Sequence, residues 1–325
     1  MLGPVRSRLI ETLSGRSDRI PSWVLRLEDG EDEGFFAPGS APWVVHGGMP
    51  TLVAGVRALL LQALHPGALA GVREHSRYRE DPLGRLAGTI QWIHTVTFGS
   101  RGQAIAGSEM VKTLHRSVVG TYVDGHGSTR PYAANDPELA AWVHVAFTDA
   151  FLTAHENWGS PIPGGADGYV AQWATAGELM GVEDPPRTAA ELRARIDDAT
   201  DTGDLRGGAE VEEIVRFIRR APLSPVLRPS YRIVFRAAVS TLEPRHRRLL
   251  GLPERDRLPV HATTGLVLRG AGVLLGEHTQ AELAARRRLA RLAGSSGEGQ
   301  DTLEPVDEAG TPSPAVRNPQ RKESE

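Results

Sequence analysis

The stretch from 62 to 99, QALHPGALAGVREHSRYREDPLGRLAGTIQWIHTVTFG, restricts what this chain can become more than any other part. Asp81-Pro82 supplies an N-cap followed by a proline at the first helical position, and Phe98-Gly99 supplies a stop. At roughly 100° per residue, Leu83, Leu86, Ile90, Ile93 and Thr97 share one face of the intervening helix, the stripe expected to meet a core. A second stripe holds Arg85, Gly88, Thr89, Trp92 and Val96, mixing a cation, a gap and a hydroxyl with an aromatic plane. Either Arg85 and Thr89 are surface residues beside a half-buried Trp92, or this face looks into a pocket.

The flanking segments carry the same mixture. Ser100 with Gln103 forms a capping-box pattern that opens a helix expected to reach Gly120. On it His115 shares a face with Ala104, Ser108, Val111, Val118 and Val119, small and branched residues that leave room beside an imidazole. Spacing alone allows a packed core histidine or a ligand. Upstream, residues 51–64 form the most apolar segment, read as a buried helix closed by His65-Pro66-Gly67. His65 then either bonds a free carbonyl at that helix end or faces the pocket. Downstream, Asp136-Pro137 starts a helix reaching about residue 157, with His144, Thr148, Phe151 and His155 on one stripe and Leu139, Trp142, Val143, Ala146 and Ala150 on a core face.

Further helical periods occur at 170–180, 189–200, 210–220, 229–242, 260–275 and 278–292, of which 189–200 and 210–220 read as solvated outer helices. No alternation of period two is long enough for a sheet, so the expected class is all-α. Residues 121–136 read as a loop in which Asp124-Gly125-His126-Gly127 is a turn rather than a metal site. Residues 28–39 read as a mobile acidic surface segment with Phe35 and Phe36 tucked inward. The expected organisation is an N-terminal extension over 1–40, a helical domain over 41–293, and a tail over 294–325 with no hydrophobic period. The sequence contains no cysteine, which excludes disulfides, zinc–thiolate and iron–sulfur clusters, and a thiolate-ligated cofactor. A net charge of −3 supplies no basic footprint for nucleic acid. Residues 1–18 contain no signal-peptide apolar run, and no uninterrupted apolar stretch approaches the ~18 residues of a membrane span, so a cytoplasmic location is expected.

The strings LLLQALHPGALAGVREHSRYREDPLGRLAGTIQWIHTVTFGS, VKTLHRSVVG and YAANDPELAAWVHVAFTDAFL resemble the catalytic domain shared by the MpaB-type and latex-clearing (rubber) oxygenases. HPG, RLxxT, HxxV and NDPxLxxWVH occur in that order, and the likeness extends over about 43–276. The resemblance implies a globin-like multi-helix fold that binds haem b, with iron held by His115. It places the family's distal arginine and threonine at Arg85 and Thr89, which together with His65 form the expected catalytic group. Trp92, Val118, His144 and Arg85 join His115 around the cofactor, and Val96 and Phe151 add apolar lining. The implied partners are dioxygen and an apolar isoprenoid, polyketide or lipid-like substrate. Rubber-cleaving members carry a lysine directly before the threonine, whereas this chain has Gly88, so polyisoprene cleavage is not expected. Two other readings stand beside this one: a non-haem iron site of His115 and His144 with Asp149 or Glu74, and a non-catalytic haem- or lipid-binding protein.

Overall fold

In the computed structural model of the chain, residues 3–14, 20–76, 78–254 and 259–298 are described. The chain enters through α1 (Gly3–Ser14), α2 (Ser22–Arg26) and α3 (Ala41–Gly47) and reaches α4 (Thr51–Gln62). Val53, Ala54, Val56, Ala58, Leu60 and Leu61 are buried around α4, and a helix without a polar face is stable only when surrounded. α5 (Pro66–His75), α6 (Pro82–Phe98) and α7 (Arg101–His115) follow, then strands β1 (Val119–Val123) and β2 (Thr129–Ala133) and the long α8 (Pro137–Trp158). α8 lies along α4 and is likewise buried nearly all round. The chain continues through α9 (Gly165–Leu179), α10 (Ala189–Asp201), α11 (Ala209–Arg219), α12 (Arg228–Ser240), α13 (Pro244–Leu249), α14 (Val260–Leu275) and α15 (Gln280–Glu298). α9, α10, α12 and α14 pack around the α4–α8 pair, while α15 closes against α2 and α6.

Polar links fix this packing. His46 of α3 is 1% exposed and bonds Thr97 Oγ1 through Nδ1 at 2.7 Å and Tyr169 Oη through Nε2 at 2.9 Å, joining α3, α6 and α9. Arg57 of α4 forms a charged pair with Asp149 of α8, the one strong charge in an otherwise apolar helix contact. Arg288 of α15 donates to Leu27 O at 2.7 Å and Phe98 O at 2.9 Å, satisfying a carbonyl left free at the end of α6.

The expected helices are present with ends shifted by a few residues, and α14 has the expected limits. Several expectations change. Among the described residues the fold is helical but for one hairpin, β1–β2, with Val119 opposite Ala133 and Val123 opposite Thr129. Consequently the helix expected to reach Gly120 stops at His115. α10 and α11 are not merely solvated: they bury Leu192 and Ile196, and Val211, Ile214, Val215 and Ile218. Val143, assigned to the core face of α8, is 37% exposed. Segment 28–39 is tied down, since Asp32 Oδ1 accepts from Gly34 N and Arg101 N, both at 2.7 Å, and Phe36 is buried as expected.

The turn at 124–128 is built as read, with Asp124 Oδ1 accepting from His126 N at 2.9 Å and Ser128 N at 2.8 Å. Helix α15 carries regular structure to Glu298, past the point where the tail was expected to begin, and 299–325 lie outside the described residues. No single helix among the described residues is long and apolar enough to cross a membrane. α3 and α4 meet that test only as a pair bent by 93°, and much of that pair is buried within the fold.

Candidate active site

Local sequence sets the geometry of the α6–α7 pair. Asp81 Oδ1 accepts from Gly84 N at 3.0 Å, Pro82 occupies the first turn, and the Ser100–Gln103 capping box is complete. Trp92 then donates its indole N–H to Ser108 Oγ at 3.1 Å. Thr95 fits beside Gly107, where an added Cβ would stand 3.4 Å from the Thr95 methyl. The chain reverses at Gly99-Ser100, so α6 and α7 pack antiparallel.

The core stripe of α6 is complete only in its second half. Ile93, Val96, Thr97 and Phe98 are buried, whereas Leu83, Leu86 and Ile90 remain half-exposed. At this less covered end stand the residues singled out by sequence. His115, the last residue of α7, has Nδ1 buried without a hydrogen-bond partner, and no described group bonds Nε2. Burial lowers its pKa, so the ring is a neutral imidazole with a lone pair to offer. Arg85 is half-buried, its pKa is lowered by burial, and no described carboxylate pairs with its guanidinium. Gly88 is exposed, with nothing within 4 Å of where a Cβ would stand, so close helix packing does not account for this glycine. Thr89 is exposed, its hydroxyl donating back to Arg85 O at 3.2 Å.

The remaining candidates fall in different places. Trp92 is half-buried, held by Ser108 and set edge-on to Trp173 with centroids 6.3 Å apart. Val118 follows α7, half-buried, with its backbone N–H on His115 O at 3.0 Å. Val96 and Phe151 belong to the closed core at 0% and 4% exposure. His144 lies between α8 and α9, its ring 3.0 Å from where a Cβ on Gly177 would stand, with Nε2 buried and unpartnered. Burial pushes its pKa down to about 4.

His65 is corrected in a way that changes its chemistry. It does not close the preceding helix but caps the next one, its Nδ1 accepting from Gly67 N at 3.2 Å and Ala68 N at 3.4 Å. The ring proton is therefore on Nε2, and this imidazole can donate to a ligand but has no free lone pair with which to act as a base. The non-haem iron alternative finds no support, because no three His, Asp or Glu side chains among the described residues gather closely enough to hold a metal ion. Asp149 is engaged by Arg57, and Glu74 accepts from Tyr132 Oη at 2.6 Å.

Sequence reading did not find a cleft that lies on the Arg85 side of α6. It is lined by Leu59 and Gln62 of α4, Leu69 and Val72 of α5, Ile214 and Phe217 of α11, and Arg85, and holds about 60 Å³. Its one sequence signal was the apolar face of α11, which repeats at Val211, Ile214, Val215 and Ile218.

Residues 43–270 match the family described as ER-bound oxygenase mpaB/B′/Rubber oxygenase, catalytic domain. No curated protein matches the chain. No solved structure matches it either.

Proposed function

The chain belongs to the family of mpaB-type and rubber oxygenase catalytic domains, and from that membership we propose that it is a haem b-dependent oxygenase acting on an apolar small molecule. The observation that carries the reading is His115, an imidazole at a helix end whose buried Nδ1 has no partner among the described residues. A buried polar atom is ordinarily hydrogen-bonded, and an iron ligand is a partner that accounts for a ring left free. Gly88, on the stripe with Arg85, Thr89 and Trp92, has no side chain and nothing within 4 Å of where a Cβ would stand, so it offers space on that face of α6.

Haem b, when bound, supplies the iron chemistry by which dioxygen reacts with an apolar substrate. His115 would hold it through a ring nitrogen, and the low proton affinity that burial imposes keeps that nitrogen free near neutral pH. Trp92, fixed by Ser108, and Val118 would form its walls. Arg85 places a positive charge at the boundary between this region and the cleft, where it orients negatively charged groups. Thr89 offers a hydroxyl one turn further along α6. Leu59, Leu69, Val72, Ile214 and Phe217 give the cleft hydrocarbon surface on which an apolar group would be removed from water. Gly88, in place of the lysine of rubber-cleaving members, leaves this position without a side chain that could block approach.

The test is the absorption spectrum of the purified chain and of two variants. His115→Ala is expected to stay helical by circular dichroism and lose most of its haem, while His94→Ala retains it. Full haem occupancy in His115→Ala would remove the assignment.

A further inference from the structure

Helix α7 turns its apolar side outward. Ala104 and Ser108 are buried on its inner face, while Gly102, Ile105, Ala106, Met110, Thr113 and Leu114 face solvent with Glu109 the sole charge among them. A surface helix ordinarily presents polar residues to water, yet Leu114 is 64% exposed. The same surface continues past both ends of the helix. Asn135 Nδ2 donates to Lys112 O at 2.9 Å and holds the hairpin against the end of α7, and Gln103 Nε2 donates to Arg26 O and holds α2 against its start. Leu25 of α2, Ile105, Met110 and Leu114 of α7, and Val119 and Val123 of β1 are six of the eleven exposed large apolar residues among those described. The open hydrocarbon of the fold is thus concentrated on one surface, as at an interaction site.

The charges beside this surface are divided between its ends. Asp32, whose carboxylate accepts from Arg101 N at 2.7 Å, fixes segment 28–34 at the start of α7. Asp29, Glu31 and Glu33 of that segment are exposed without a described cation as partner, and with Asp32 they outnumber Arg26 and Arg101 there. At the far end Arg116 is exposed without a described carboxylate as partner. At roughly 100° per residue, Arg101, Ile105 and Arg116 lie within about 60° of one another, so the acidic segment and the free cation stand on the same edge of the face.

We propose that this face binds a second copy of the chain, α7 against α7, antiparallel about a two-fold axis. An antiparallel pair sets the start of each helix beside the end of the other, and the two-fold axis keeps like edges on one side, so residues 29–33 of each copy meet Arg116 of the other. A parallel pair would set acid against acid. Gly102 and Ala106 lower the helix surface enough for close approach, and Ile105, Met110 and Leu114 supply the ridges that fill the grooves between. The pairing does not rest on the oxygenase reading.

The experiment is sedimentation velocity of the full-length protein across about 1–100 µM, the range in which a micromolar Kd populates both states. A dimer is expected. Ala106→Glu, which sets a charge at the centre of the face on an exposed position, should give a monomer with unchanged circular dichroism and thermal midpoint. Arg116→Glu occurs twice in a two-fold pair and should weaken association by about tenfold or more. Adding Glu31→Lys and Glu33→Lys to it should restore the wild-type affinity. A wild-type monomer across the whole range overturns the proposal, and its flotation with phosphatidylcholine vesicles would assign the face to a lipid surface instead. A dimer that survives Ala106→Glu overturns it as well, because the contact then lies elsewhere. A dimer that Arg116→Glu leaves at full strength, or that the added lysines do not restore, overturns the antiparallel arrangement.

Discussion

Trp92 on α6 and Ser108 on α7 are joined by a 3.1 Å hydrogen bond from the indole N–H to the hydroxyl, and this contact sets the register of the two helices. Ser108 is 1% exposed, so no water replaces its oxygen when it is removed. Ser108→Ala is expected to cost about 1–3 kcal/mol, the range for a buried donor left unsatisfied. Haem retention should fall with it, since the bond ties the helix that carries Arg85 to the helix that carries His115. Chemical denaturation together with the haem-to-protein absorbance ratio measures both; a variant that loses neither would show that the bond does not hold the pair.

Gly88 occupies a helix interior without steric reason. Nothing lies within 4 Å of its missing Cβ, so Gly88→Ala should stabilise the fold by about 1 kcal/mol through helix propensity alone. Gly88→Lys should be equally well folded. If the position faces the cofactor, the haem-loaded lysine variant acquires a spectrum that resists added imidazole or cyanide. An unchanged, ligand-responsive spectrum places Gly88 elsewhere on the helix.

His144 makes the protein acid-sensitive. Its native pKa lies at about 4 against an ordinary 6.5, with burial as the cause. The unfolded chain therefore takes up the proton first as pH falls. The stability linked to this residue is intact above pH 6.5 and is lost progressively toward pH 4. The full difference is about 3 kcal/mol. His144→Leu, measured by urea unfolding across that interval, should flatten the pH dependence. It should not abolish it, because burial also holds His94 at about 4.

Arg57 and Asp149 form a pair whose side chains are 7% and 19% exposed. Asp149→Ala strands the cation, whose other hydrogen bond is to Thr241 O at 3.4 Å, and should cost about 3–5 kcal/mol. Replacing both partners, Arg57→Met with Asp149→Leu, should recover most of that loss. Denaturant midpoints of the two single variants and the double variant decide it: a double variant as unstable as Asp149→Ala would mean that the charge itself is not the cause.

What the sequence by itself determined was most of what acts within a turn or two. Asp81-Pro82, Ser100 with Gln103, and Asp136-Pro137 start helices where they were expected because a cap bonds backbone N–H groups two or three residues away. The buried character of α4 was equally legible, since a segment apolar on all sides has no other stable place. The motif order identified the family, and it singled out His115, which the fold leaves without a protein partner.

Tertiary structure decided what depends on meetings between distant segments. His46 has no local signal, yet it joins Thr97 and Tyr169, 51 and 123 residues away. The hairpin ends α7 at His115 because cross-strand pairing of Val119 with Ala133 wins over helix continuation. His65 is the local exception: its two backbone donors lie two and three residues on, yet it was expected at the end of the preceding helix. The cleft beside Arg85 exists only because α11 folds back over α4 and α5.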